Sequence, residues 1–313
     1  MEHARAGLCV ANSCRGWVNL SEAVVKRCKE ELIKAHNHTF TQHLPIAGSG
    51  SDHMLYLQEL WRGAWVIFRK HMRKFRSNSM EIGGTLGFPL LFVGIFAFGM
   101  QNVVDPSALE GASYLAFITP GIIALTALSG AVNSGMTLLE EKIRGILKEY
   151  FVAPIPRLSI LFASSASGLV KTLLQSLIIL GVAMLFGAHL KFSLAGFMAA
   201  FIVLLLYVVG FVGLSNGIAV RSSSVGGYHT LVFLLNLPLL FLSNALYPLS
   251  AMPAWMRVLA YLNPTTYAVA GMRWGLYAMG SVPIMLCVAV LLIFAVLCSW
   301  YGLRSFRSVL QHT

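Results

Sequence analysis

Apolar and polar positions fall into blocks along this chain, and the apolar blocks are long. Uncharged stretches cover 82–104, 111–139, 172–190, 192–220, 222–256 and 274–303. A run of about 20 such residues is enough to cross the hydrocarbon layer as a helix. The stretch 222–256 runs on into a proline-rich segment, so its helix is ended near Tyr247. The pattern predicts an all-α integral membrane protein with six transmembrane helices near 83–101, 115–138, 166–187, 195–219, 228–247 and 281–303. Helices satisfy their own backbone hydrogen bonds, whereas an open sheet leaves polar edges in lipid.

Two segments break the block pattern. In 57–76, LQELWRGAWVIFRKHMRKFR, the residues Leu57, Leu60, Trp61, Ala64, Phe68, Met72 and Phe75 recur at helical spacing. Arg62, Arg69, Lys70, Arg73, Lys74 and Arg76 dominate the remaining circumference. A basic amphipathic helix with tryptophan on its apolar side lies in the headgroup plane. The second segment is 137–157, where Ile143, Ile146, Leu147 and Tyr150 share one helical face and charged residues crowd the other. Thr137 and Glu140 have capping-box spacing on a helix already running. Pro154 and Pro156 stop the segment before the third span. A short two-faced helix of this kind is a docking element. The competing reading is a solvated loop whose cations only fix topology.

Charge supplies the orientation. Lys and Arg number 23 against 12 Asp and Glu, and only 11% of the chain is charged, far below the ~25% of soluble domains. With the N-terminus inside, 19 of the 23 cations fall on the inner side, and Lys191, Arg257 and Arg273 fall outside. Both termini are therefore expected in the cytoplasm. The net charge of +11 is a topology signal, and no nucleic-acid partner is expected.

Residues 1–53 are polar and read as a disordered N-terminal extension, with Met54 a candidate start and 54–313 the transmembrane domain. Cys9, Cys14 and Cys28 precede His36, His38 and His43 without the close pairing a zinc site needs, so no metal site is assigned.

The chain has no G-x-x-x-x-G-K-[ST] motif, so a P-loop nucleotide site is not expected in it. The only aspartates, Asp52 and Asp105, lie outside the spans, which weakens an ion-gradient-driven carrier. Paired acids for metal-diphosphate chemistry are missing too, which weakens a membrane-embedded transferase. Lys171 lies within the third span, where snorkelling or an anionic substrate group would account for it. Gly213 and Gly217 (GLSNG) read as a small-residue face for packing within the chain or for a subunit contact.

Three stretches carry a resemblance. They are ExxxxGxLxxxxxxPxPR at Glu140, Gly145, Leu147, Pro154, Pro156 and Arg157; FITPGIIAL at 117–125; and 246–275, which ends in Asn263, Pro264, Tyr267 and Arg273. In this order the chain resembles the membrane subunits of ABC-2-type ATP-binding cassette exporters over about 54–310. The resemblance implies a connecting helix at the membrane surface over 57–76 and a coupling helix over 139–152. It also implies re-entrant helices over 248–275 that involve Pro248, Pro253, Asn263, Pro264, Tyr267 and Arg273. Coupling to the ATPase would fall to Glu140, Glu141, Arg144, Gly145, Leu147, Tyr150 and Pro154. Helices two and five, near the dimer axis of that family, offer Ser129, Asn133, Ser134, Phe233, Asn236 and Asn244 as a substrate path. The expected partners are two copies of a separate ATPase that carries the ATP and Mg, a second permease copy or paralogue, and the lipid bilayer. The expected location is a bacterial plasma membrane.

Overall fold

The computed structural model describes residues 50–99, 114–147, 150, 156–188, 190–191, 193–246, 248–249, 252–279 and 282–311. Most of the expected N-terminal extension, Lys148 and Pro154 lie outside the described residues. All regular structure among the described residues is helical. In chain order the helices are α1 Gly50–Ser77, α2 Ser79–Gly99, α3 Tyr114–Ile143, α4 Arg157–Leu185, α5 Leu194–Arg221, α6 Val225–Phe241, α7 Ala254–Leu262, α8 Pro264–Tyr277 and α9 Ile284–Gln311.

Among the described residues four helices are long and apolar enough to cross a membrane: Tyr114–Ile143, Leu158–Leu185, Leu194–Arg221 and Ile284–Ser308. The expected first and fifth spans correspond to shorter apolar helices, Ile82–Ile95 and Val225–Phe241. Helix α3 is the axis of the body formed by Gln58–Thr313. It touches α2, α4, α5, α6 and α8, and 83% of its apolar window is buried. Helix α5 is the second hub and packs on α3, α4, α8 and α9.

The α5–α9 contact rests on small residues, as the GLSNG stretch suggests. A Cβ on Gly213 would stand 2.8 Å from Ser299 Cα, and one on Gly217 2.8 Å from the Tyr301 ring. Both glycines therefore serve packing within one chain. Tyr207 and Phe211 of α5 add an edge contact at 4.8 Å, and Phe211 meets Phe294 of α9 at 4.9 Å.

Helix α6 ends at Phe241, short of the expected Tyr247. The last carbonyls of a helix lack intrahelical donors, and here Asn263 supplies them. Its Nδ2 donates to Leu239 O at 2.7 Å and to Leu242 O at 2.9 Å, while its Oδ1 accepts from Thr265 N at 2.9 Å. One side chain thus closes α6 and caps α8, and Pro264 takes the first helical position.

Candidate coupling site

The segment after α3 begins with a break. Arg144 N donates to Glu140 O at 2.9 Å and Gly145 N to Lys142 O at 3.2 Å, and Gly145 then takes φ +78°. A residue with a Cβ is disfavoured there, so glycine is what ends the helix. The expected continuous helix over 139–152 is therefore corrected to an α3 that ends at Ile143, a left-handed turn, and helical residues at 146, 147 and 150. The break also redistributes the expected apolar face. Leu147 is buried with Ala64, Ile67, Leu138, Ile160 and Phe306, and Tyr150 packs on that cluster. Ile143 is 51% exposed, and Arg144 is exposed beside it. Leu147 and Tyr150 anchor the turn, while Ile143 and Arg144 face outward.

Glu141 is the node of this region. It is 7% exposed, and its Oε1 accepts from Lys70 Nζ at 3.1 Å and His71 Nε2 at 3.1 Å, with Tyr150 Oη at 3.5 Å. His71 is buried too, and its Nδ1 lies 3.0 Å from Ser167 Oγ on α4. Lys70 Nζ also donates to Tyr150 Oη at 2.7 Å. Four parts of the chain, α1, α3, the turn and α4, thus meet around one carboxylate. Burial of this kind is tolerated only because the charge is paired and hydrogen-bonded. Partial burial lowers the Lys70 pKa, but hydrogen bonds to Tyr150 and Glu141 outweigh it and hold Lys70 above its ordinary value. Burial raises the Tyr150 pKa against the pull of Lys70.

Neighbouring contacts extend the join. Lys142 Nζ donates to Ser222 O at 3.0 Å and to Val220 O, which caps the end of α5. Lys74 and Arg144 approach Glu140 Oε2 at 4.0 and 3.7 Å. Thr137 does not form a capping box: its Oγ1 donates back to Asn133 O at 3.0 Å, as a hydroxyl within a continuing helix does. His71 and Ser167 were not picked from the sequence, and Lys70 and Lys142 only as members of the charged faces of their segments. The signal for His71 was its place on a helical stripe with Ala64, Ile67 and Phe75.

That stripe also corrects the reading of α1. Ala64, Ile67, His71 and Phe75 are buried against the bundle, while Trp61 is 70% and Trp65 53% exposed. The tryptophans and the core residues occupy adjacent faces, and the core face packs on Leu138, Leu147, Ile160 and Phe306. Ser159 Oγ donates to Leu60 O at 3.0 Å, and Lys171 Nζ lies 4.9 Å from the Phe75 ring.

At the other end of the bundle, Arg273 is 6% exposed. Its Nε donates to Phe117 O at 3.0 Å and its Nη2 to Asn244 O at 2.7 Å. Pro253 precedes α7, Pro248 is half-buried, and Tyr267 Oη donates to Tyr261 O at 2.8 Å. Asn263, Pro264, Tyr267 and Arg273 thus share the α7–α8 corner and its seat on α3 and α6.

The expected path residues are dispersed. Ser134 and Asn244 are buried, Ser129, Asn133 and Asn236 are half-buried, and Phe233 is 65% exposed on α6. Asn133 and Ser134 line a cavity of about 20 Å³ with Thr137, Ser167 and Lys171. That volume suits a water, not a drug-sized molecule.

Residues 62–277 match the model of the ABC-2 type transporter family. The chain is 35% identical over 231 residues to the putative transport permease ycf38 of Cyanophora paradoxa, covering 72% of this chain and 76% of that protein. It is 27% identical to the inner membrane transport permease YadH of Escherichia coli K12, covering 75% and 91% respectively. It is 26% identical to the probable doxorubicin resistance ABC transporter permease protein DrrC of Mycobacterium tuberculosis, covering 67% and 74%. The expected resemblance thus holds: this chain belongs to the ABC-2 type transporter family, as a membrane subunit whose family implies an ATP-binding cassette ATPase as partner.

Proposed function

We propose that the chain is the non-catalytic, force-receiving half of an exporter. Two copies, or one copy and a paralogue, pair in the membrane and carry two separate ATPase subunits on the cytoplasmic side. The six apolar helices, α2 to α6 and α9, cross the bilayer with both termini inside. Helices α7 and α8 form the re-entrant pair at the outer face. The +11 charge, with its bias to one set of connections, supports this orientation.

The observation that carries the reading is the turn Ile143–Gly145, exposed at its tip and tied at its base to three helices through Glu141. ATP-driven closure of the ATPases would push on this tip. The Glu141 cluster would pass the push to α1 and α4, and Lys142 would pass it to α5. Rigid-body movement of this kind switches a cavity between copies from inward to outward access. The cargo is an amphiphile, either a drug-like molecule or a lipid-linked glycan. The apolar surface of α6 around Phe233 and Asn236 suits such a path, and the name of the DrrC relative favours a drug-like molecule.

The test is co-purification of the ATPase with Ile143→Asp and Arg144→Glu. Both side chains are exposed, so insertion is expected to be normal while ATPase binding and transport are lost. Normal co-purification of both variants refutes the docking role. Labelling of Lys148 from outside the cell refutes the orientation.

A further inference from the structure

Helix α1 has more cations than its protein partners use. Lys70 and Lys74 turn toward the acids of α3, reaching Glu141 at 3.1 Å and Glu140 at 4.0 Å. Arg62, Arg69, Arg73 and Arg76 are all exposed, and among the described residues no acid pairs with them. At 3.6 residues per turn these four arginines fall within a sector of about 60° and extend about 21 Å along the axis. The sector beside them is apolar and aromatic: Trp61 and Trp65 are exposed, Phe68 and Met72 half-buried, and the Trp65 and Phe68 rings stack at 5.5 Å. The opposite face, Ala64, Ile67, His71 and Phe75, is buried in the protein.

The helix therefore has three ordered faces: one buried in the bundle, one apolar and aromatic, and one of exposed arginines. Guanidinium groups bind phosphate with two parallel hydrogen bonds, and tryptophan settles at the headgroup level. We propose that the arginine row of α1 binds the phosphates of anionic phospholipids, which act as a partner holding this helix to the bilayer surface. This deepens the surface-helix reading of α1. The row is longer than a headgroup layer is thick, so all four arginines reach phosphate only if α1 lies along the surface.

The test uses the full chain in nanodiscs of phosphatidylcholine with or without phosphatidylglycerol, with lipids retained after extraction counted by native mass spectrometry. The wild type is expected to retain phosphatidylglycerol preferentially. Each of R62Q, R69Q, R73Q and R76Q is expected to lower that retention about fivefold, with Lys191→Gln as a neutral control. Retention should weaken with rising salt and resist 10 mM inorganic phosphate, about the level of a free-ion competitor. Equal retention by the quadruple variant overturns the proposal. So does an effect confined to R76Q, which would mean a steep helix. A quadruple variant that keeps its lipids but loses the ATPase assigns the row to a protein partner and overturns it too. A spin label at Val66, 64% exposed, reports separately whether α1 meets the bilayer at all.

Discussion

The guanidinium of Arg273 lies 3.6 Å from the ring centroid of Phe117, and its Nε donates to the carbonyl of that same residue at 3.0 Å. Phe117 opens α3, and the other arm of the guanidinium reaches Asn244 O just past α6. One side chain therefore fastens α8 to the starts and ends of two other helices, with carbonyl oxygens and a π face in place of a carboxylate.

Arg273→Lys should be nearly as disruptive as Arg273→Ala. An ammonium cannot fork between two carbonyls while stacking on a ring, and each orphaned buried carbonyl costs about 1–3 kcal/mol. Thermal unfolding in detergent, followed by size-exclusion, should show both variants well below wild type. A lysine variant that matches wild type removes the clamp.

Asn263→Asp should destabilise although aspartate is normally an equal N-cap. The carboxylate would keep the bond from Thr265 N, but it would lose both Nδ2 donors and face the carbonyls of Leu239 and Leu242. The loss should be at least about 2 kcal/mol in the same unfolding assay. Equal stability of the Asp variant shows that these two bonds contribute nothing.

Substitutions at Gly145 should rank by tolerance of positive φ. Asn should be milder than Ala, and Ala milder than Val, with Ala costing about 1 kcal/mol. Among the described residues no heavy atom lies within 4 Å of a Cβ built there, so the ranking reads backbone strain and not crowding. Chemical denaturation of the three variants distinguishes the cases, and equal midpoints would contradict a left-handed turn.

The Lys70–Tyr150–Glu141 join should fail in alkali. Lys70 is held above its ordinary value of 10.5, so its stabilisation is complete below that value and is lost as pH rises through the higher folded one. The raised phenol of Tyr150 acts in the same direction. Wild-type melting temperature should hold through neutral pH and fall above about pH 10.5, more steeply than in Lys70→Gln with Tyr150→Phe. Parallel curves would mean that the join adds no stability.

Much of this molecule was legible from spacing alone. Apolar runs gave α5 within a few residues and the cores of α3, α4 and α9, although α4 starts nine residues before and α9 ends eight residues beyond the expected spans. The proline-rich pattern of the resemblance marked α7 and α8. The Gly213–Gly217 packing face was legible as well. Tertiary choices were not. The face that α1 turns inward depends on what the rest of the bundle can pack, and Ala64 with Ile67 and buried His71 won over Trp61. Gly145 looked like one residue of a helix because periodicity ignores the sign of φ. Arg273 counted as an outer-side cation ending the re-entrant pattern, because sequence shows charge but not the carbonyls that receive it.

The four long apolar helices α3, α4, α5 and α9 contain 28 to 30 residues. At 1.5 Å per residue each measures about 42–45 Å, against a hydrocarbon layer of about 30 Å. Roughly 12 Å of every rod must therefore protrude into water or headgroups. Glu141 and Lys142 sit within two residues of such a tip, and Arg221 is itself the last residue of another. In the proposed cycle this ionic hardware would shift and re-pair in a wet layer, with Lys171 the one cation left within the third span. A stroke of the proposed kind would avoid the expense of dragging the Glu141 cluster across the oil.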